Sequence, residues 1–257
     1  MAKNDFSAES AENFEQKCLC VLVLDVSGSM REIVDESNMQ YTGETVFVDG
    51  ARYNIVTGGV SKMDLLNEGL RDFYNEICAD ETTSQRLELS IITFNDYVQV
   101  VQEPALPENV IIPELHGDGD TALADAVNEA IDKVEARKNW YKETGQPYYR
   151  PWIILMTDGE PNAGQDINSL ARRIKSDTAA KKYAFLPVGV EGADMSVLQQ
   201  IEGEGMKATK LKGMRFGQFF KWLSASIGTI TKAENGQTIN MSKGATGDDG
   251  WMEIFKI

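Results

Sequence analysis

Short apolar runs alternate with segments of helical spacing along this chain. Residues 19–25, 87–94, 97–102, 152–157 and 184–190 have the length and composition of strands. Side chains of a strand alternate between two faces, so a run that is apolar at almost every position predicts a strand covered on both sides. Between these runs, apolar residues recur every three or four positions, the spacing of an amphipathic helix. Met63, Leu66, Gly69-Leu70 and Phe73 make one such stripe; Leu123, Val127, Ala130-Ile131 and Val134 make a second. Ile167, Leu170-Ala171 and Ile174 predict a third helix, and the stretch from Phe216 to Ile230 a fourth. Strands alternating with helices specify an α/β fold: a mostly parallel central sheet, six-stranded by expectation, with helices on both faces. The runs 87–94 and 97–102 are joined only by Asn95-Asp96, a hairpin signal, so one strand is expected to be antiparallel.

Two segments fall outside this alternation. Residues 31–59 separate the first strand from the first helix. Within them, Thr45-Val46-Phe47-Val48 and Arg52-Tyr53-Asn54-Ile55-Val56 flank Asp49-Gly50, a strong hairpin signal. The second segment runs from Lys232 to the end and closes on Trp251-Met252-Glu253-Ile254-Phe255-Lys256-Ile257, which alternates like a strand. It is expected to pair with an edge of its own sheet or to dock on a partner. The domain division expected is an extension over 1–14, one domain over 15–231 carrying the hairpin insertion, and a tail over 232–257.

Composition narrows the function classes. Hydrophobic residues make up 42% and charged residues 25%, ordinary for a soluble globular domain, and no apolar run is long enough to span a bilayer. The N-terminus is polar and acidic, without a secretory hydrophobic core. Cys18, Cys20 and Cys78 are expected to be reduced core residues of a cytoplasmic protein. The net charge is −15, and no basic block is present to displace counterions from a phosphate backbone, so nucleic acid is a poor partner. Membrane association is not expected either.

The chemistry gathers in three places. The first strand ends in Asp25-Val26-Ser27-Gly28-Ser29, a carboxylate and two hydroxyls at alternate positions. Small oxygen donors on one side of a turn suit a hard cation such as Mg²⁺. A second apolar strand ends in Asp158-Gly159. Parallel strands place their carboxyl ends on one edge, where open α/β sheets bind ligands, so Asp25 and Asp158 are expected to share a crevice. The third place is Gly117-Asp118-Gly119-Asp120-Thr121, a loop preceding a helix, which offers the Thr121 hydroxyl. Singly, each group has a plain structural use: Asp25 at a strand end, Ser27 and Ser29 in a turn, Thr121 or Asp120 as a helix cap.

Together the three segments resemble the von Willebrand factor A domain and its metal-ion-dependent adhesion site. That family carries Asp-x-Ser-x-Ser after the first strand, a Thr in a Gly-rich loop and an Asp after the fourth main strand. The strings Leu24-Asp25-Val26-Ser27-Gly28-Ser29-Met30, Ile92-Thr93-Phe94, Thr157-Asp158-Gly159-Glu160-Pro161 and Phe219-Phe220-Lys221-Trp222-Leu223 are similar to its bacterial, tellurium-resistance-associated TerY-type branch. The resemblance implies a Rossmann-like fold and a Mg²⁺ bound directly by Ser27, Ser29 and Thr121, with Asp25 and Asp158 acting through waters; Mn²⁺ and Ca²⁺ are the other ions admitted. It implies a partner protein whose Asp or Glu completes the coordination, in a stress-response or phospho-signalling assembly with a protein kinase or a metal-dependent protein phosphatase. Two features depart from the family pattern. Asp120 stands where members usually have Gly, and either caps the following helix or adds charge to the site. The insertion 31–59 leaves directly from the motif.

Enzyme chemistry is thinly provided for. His116, the only histidine, adjoins the Thr121 loop and is expected to be solvated; Ser27-Gly28-Ser29 is not a Gly-x-Ser-x-Gly elbow; and no Gly-x-x-x-x-Gly-Lys-Ser/Thr loop occurs. The expectation is a protein-binding module without catalytic residues. A metal-dependent hydrolase or phosphotransferase, and a self-associating structural module, stand as alternatives.

Overall fold

The computed structural model describes residues 14–48 and 51–233, together with Ala245 and Met252. Its centre is β1 (Cys18–Asp25), eight residues that are buried throughout. The insertion follows, with β2 (Ile33–Asp35), β3 (Gln40–Val48), β4 (Ala51–Thr57) and β5 (Val60–Ser61). Then come α1 (Lys62–Ala79), α2 (Glu81–Arg86), β6 (Leu87–Phe94) and β7 (Val98–Ala105). The second half is α3 (Leu123–Thr144), β8 (Trp152–Thr157), α4 (Ile167–Ala179), β9 (Ala184–Gly189), α5 (Met195–Gln200), β10 (Thr209–Lys210) and α6 (Phe216–Thr231).

The main sheet has six strands in the order β10-β9-β8-β1-β6-β7. All neighbours are parallel except β6 and β7, whose hairpin puts one antiparallel strand at the edge. β7 runs further than the sequence pattern predicts, through Pro104, which an edge strand accommodates. The sixth strand, β10, is only two residues long, too short for any periodicity to announce.

Alternation along β1 divides the core. Cys18, Cys20, Leu22 and Leu24 face one apolar cluster with Leu66, Leu70 and Phe73 of α1 and Phe219, Phe220 and Leu223 of α6. Leu19, Val21 and Val23 face the other, with Val127, Ile131 and Val134 of α3 and Leu170 and Ile174 of α4. Helices therefore cover both faces, as the buried strand runs require. Cys18 and Cys20 lie in the core, but Cys78 is exposed. It falls just past Ile77, the last inward position of α1, so the helical turn carries it to the surface.

The insertion builds two small ladders. β2 and β5 pair antiparallel at its root, Ile33 opposite Ser61, and β3 and β4 pair as the hairpin beyond. The Asp49-Gly50 turn lies outside the described residues, as does most of the terminal heptapeptide. Met252, one described residue of that heptapeptide, bridges antiparallel to Leu211, beside the β10 edge. No helix among the described residues is long and apolar enough to cross a membrane.

Candidate metal centre

β1 is flanked by β6 on one side and β8 on the other, so the chain order reverses at β1. The crevice at such a switch point, beyond the carboxyl ends of the strands, is where this architecture binds ligands. Asp25 ends β1, and Asp158 directly follows β8, whose Met156 pairs with Leu24.

The Asp25 run folds tightly on itself. Asp25 Oδ1 accepts the Ser27 amide at 2.8 Å, and its Oδ2 accepts the Thr157 hydroxyl. Ser27 Oγ and Ser29 Oγ lie 3.0 Å apart, and Ser29 Oγ donates to Asp158 Oδ1 at 2.6 Å. A single hydrogen-bonded chain thus joins both carboxylates and both serines. Asp25, Ser27 and Asp158 are buried, whereas Ser29 is exposed and marks the mouth of the crevice.

Thr121 arrives from the loop before α3. The Gly28 amide donates to Gly119 O at 2.9 Å and the Asp118 amide to Val26 O at 2.8 Å, lacing that loop to the Asp25 run. Gly119 has φ +72°, and a Cβ there would lie 2.2 Å from Asp96 Oδ2, so a larger residue is excluded twice over. Asn162 clamps Thr121 from the other side: its Oδ1 accepts the Thr121 amide and its own amide donates to Thr121 O. Between the loops stands Gly159. A Cβ on it would meet Thr121 Oγ1 at 2.8 Å and Asp25 Oδ2 at 3.6 Å, which places the Thr121 hydroxyl beside the carboxylates.

All five residues singled out in the sequence, Asp25, Ser27, Ser29, Thr121 and Asp158, therefore meet in one crevice. Asp120 does not cap α3. The N-cap is Ala122, with no side-chain bond, and the Asp125 amide of the first turn is taken by Gln165 Oε1 instead. Asp120 points to solvent, and its amide donates to Asp96 Oδ1. His116 is exposed.

A model of the von Willebrand factor type A domain matches residues 68–219, more than half of the chain. The chain belongs to this family. Von Willebrand factor type A domains serve in general as protein-interaction modules that use a divalent cation. The matched span begins inside α1 and leaves out the Asp25 run. The fold restores it to the domain, because β1 pairs with both β6 and β8. Solved structures show the same fold. The PilB minor pilin from Streptococcus sanguinis is 17% identical with a TM-score of 0.51, covering 84% of this chain and 62% of its own. A point mutant of that pilin gives 16% identity, a TM-score of 0.54 and the same coverage of 84% and 62%. The ArnB paralog VWA2 from Sulfolobus acidocaldarius is 14% identical over 82% of this chain and 45% of its own, with a TM-score of 0.50. The chain thus spans less than two thirds of these relatives, and at such identities the likeness concerns fold alone. Among curated proteins no sequence match is found.

Within the von Willebrand factor type A frame, three further residues belong to the site. Thr157 and Asn162 hold Asp25 and Thr121, as described. Lys62 opens α1 and is only 2% exposed. A capping box fixes it there: Ser61 Oγ accepts the Asp64 amide at 3.1 Å and Asp64 accepts the Ser61 amide at 2.8 Å. Its ammonium donates to Asp158 Oδ2 and Glu191 O, each at 2.9 Å, and pairs with Glu32 Oε2 at 2.7 Å. The Ser61-x-x-Asp64 box marks the helix start in the sequence, but nothing local assigns Lys62 to the site, because its partner Asp158 is 96 residues away.

Burial pushes the Asp25 carboxyl up to about 6; hydrogen bonds from Ser27 and Thr157 oppose that rise, and the Asp158 charge adds to it. Burial also pulls against the Lys62 ammonium, but its bonds to Glu32 and Asp158 outweigh this and hold its pKa above the usual lysine value. Among the described residues no three His, Cys, Asp or Glu side chains gather into a metal cluster. The donors here are two carboxylates and three hydroxyls, and Gly159 beside them has no side chain to crowd Thr121 Oγ1. An all-oxygen set of this kind fits a hard divalent cation.

Proposed function

We propose that this domain binds a protein partner through a divalent cation, Mg²⁺ in the first instance, held in the β1–β8 crevice. The observation that carries this reading is the meeting of Ser27, Ser29 and Thr121 with Asp25 and Asp158 from three separate loops. The hydroxyls of Ser27, Ser29 and Thr121 would hold the ion, and Asp25 and Asp158 would orient its waters. An ion with few charged direct ligands keeps its appetite for anions. It supplies an open position for an Asp or Glu of the partner, and exposed Ser29 marks the side from which that group enters.

The setting we propose is a cytoplasmic stress-response or phospho-signalling assembly, with this chain as adaptor and a protein kinase or a metal-dependent phosphatase as partner. Its support is the similarity of the Asp25, Asp158 and Phe219-Phe220-Lys221-Trp222-Leu223 strings to the tellurium-resistance-associated branch, an argument by analogy. The test has two stages. Calorimetric titration with Mg²⁺ and Mn²⁺ is expected to show one site, lost in Ser27→Ala, Thr121→Ala and Asp158→Ala. A pull-down from cytoplasm is then expected to recover a partner that chelator and Asp25→Ala both release. Titrations that leave the wild type without bound metal overturn the reading at its first stage. Product release by the isolated chain, dependent on Mg²⁺ and abolished in Asp25→Ala, replaces it with a hydrolase or phosphotransferase.

A further inference from the structure

Lys62 is the feature of the crevice that the metal reading does not use. A lysine is seldom buried unless paired, and this one has three acceptors for its three N–H bonds. Those acceptors come from three different loops: Glu32 after the serine motif, Asp158 after β8 and Glu191 after β9. Stitching loops together needs donors only; a fixed positive charge beside the cation donors does more. Asp158 has two oxygens, and they have opposite duties. Oδ1 accepts Ser29 on the donor side, while Oδ2 is held by the ammonium. The two site carboxylates, Asp25 and Asp158, bring two negative charges, and Lys62, whose charge Glu32 shares from the solvent side, offsets part of one. Water cannot screen that charge well, because the Lys62 side chain is 3% exposed and that of Asp158 is fully buried.

We propose that Lys62 is a built-in counter-cation that sets the affinity of the crevice for its divalent ion and keeps the bound ion undercompensated for an incoming carboxylate. This rests on the metal-dependent reading above. Lys62 acts through Asp158, as a positioning and charge-setting residue. The same geometry connects the site to the insertion. Glu32 lies immediately before β2, Lys62 immediately after β5, and these strands form the root of the hairpin. The Lys62 amide also donates to Glu32 O at 3.1 Å. Glu32 draws on the Lys62 charge from the solvent side, where its side chain is 65% exposed.

The sign of the effect separates this role from a purely structural one. Mn²⁺ is titrated calorimetrically into the full chain at pH 7.5 and low salt. Lys62→Gln keeps a donor to Asp158 but removes the charge, and is expected to tighten Mn²⁺ by about tenfold, the size of one partly screened charge interaction. Lys62→Arg keeps the charge and is expected to remain within about twofold of wild type. Glu32→Gln frees more of the Lys62 charge and is expected to weaken Mn²⁺ by roughly two- to threefold, the modest size of an exposed charge. If Lys62→Gln is folded by circular dichroism and binds Mn²⁺ no better than wild type, the inference fails while the metal site stands. If Lys62→Gln does not fold, Glu32→Gln decides, and an unchanged Mn²⁺ affinity there overturns the inference. A wild type that binds no Mn²⁺ overturns the metal reading itself.

Discussion

At the scale of single residues, the crevice is an arrangement of oxygen atoms whose protonation and spacing can each be perturbed. Asp25 is the titrating member. Its folded pKa of about 6 exceeds the ordinary 3.8, so between these values the folded chain holds a proton that the unfolded chain releases. The stability this contributes is complete below pH 3.8 and is lost as pH rises through 6. At pH 7 the metal-free protein therefore carries an ionised, buried carboxylate. Asp25→Asn is expected to stabilise it there by about 3 kcal/mol, as measured by urea unfolding in chelator, and by little at pH 4. Metal favours the ionised form, so wild-type affinity for Mn²⁺ is expected to rise between pH 5 and 7 and then level off; a flat profile contradicts this assignment. Gly159 tests spacing. A methyl group there meets Thr121 Oγ1 at 2.8 Å, so Gly159→Ala is expected to displace that hydroxyl and weaken Mn²⁺ with the fold retained. Five donor residues were legible in the sequence because each sits in a short motif at a strand end or helix start. Their supports Thr157, Asn162, Asp96 and Lys62 were not, because a side chain that holds another loop leaves no periodic trace.

At the scale of elements, the strand and helix patterns transferred well where burial was uniform. β1 and β8 read as nearly unbroken apolar runs because helices cover them on both faces; β6 is buried as fully, but Glu88, Ser90 and Thr93 interrupt its apolar positions. The two-residue pairings β10 and β5 had no such signature. The β3–β4 hairpin is of a different kind. Tyr41, Phe47 and Tyr53 are exposed, and no residue of either strand whose side chain is described belongs to a core cluster. A two-stranded ribbon by itself is marginally stable in water, and its exposed apolar side chains give it little to contribute to the core. Replacing residues 38–57 by a short Gly-Ser linker, which leaves β2 and β5 in place, is expected to shift the thermal midpoint by no more than about 3 °C, on the scale of under 1 kcal/mol for a chain of this size. Loss of cooperative unfolding would show instead that the hairpin is part of the folding unit.

At the scale of the whole molecule, a buried ion pair fixes how α3 lies on the sheet. Glu88 of β6 receives two bonds of 2.7 Å from Arg137 and a third from the Tyr141 hydroxyl, all fully buried, while Arg137 also lies over the Trp140 ring at 4.1 Å. Removing one partner leaves a charge without compensation, so Glu88→Gln is expected to cost about 3 kcal/mol in urea unfolding. The cation site at the other end of the strands should keep its Mn²⁺ affinity as long as the domain is folded. The sequence by itself determined the α/β architecture, because burial on two faces writes itself as apolar runs and helical stripes. It also determined which oxygen groups end the strands, because motif and strand end are neighbours in the chain. The shared crevice is expected from the parallel topology and the family resemblance; only the tertiary structure decided that a lysine from beyond the insertion lies in it and that Asp120 leaves α3 uncapped. Each of these depends on residues brought together across long stretches of chain, and pairwise electrostatics at a few ångströms has no period along a sequence.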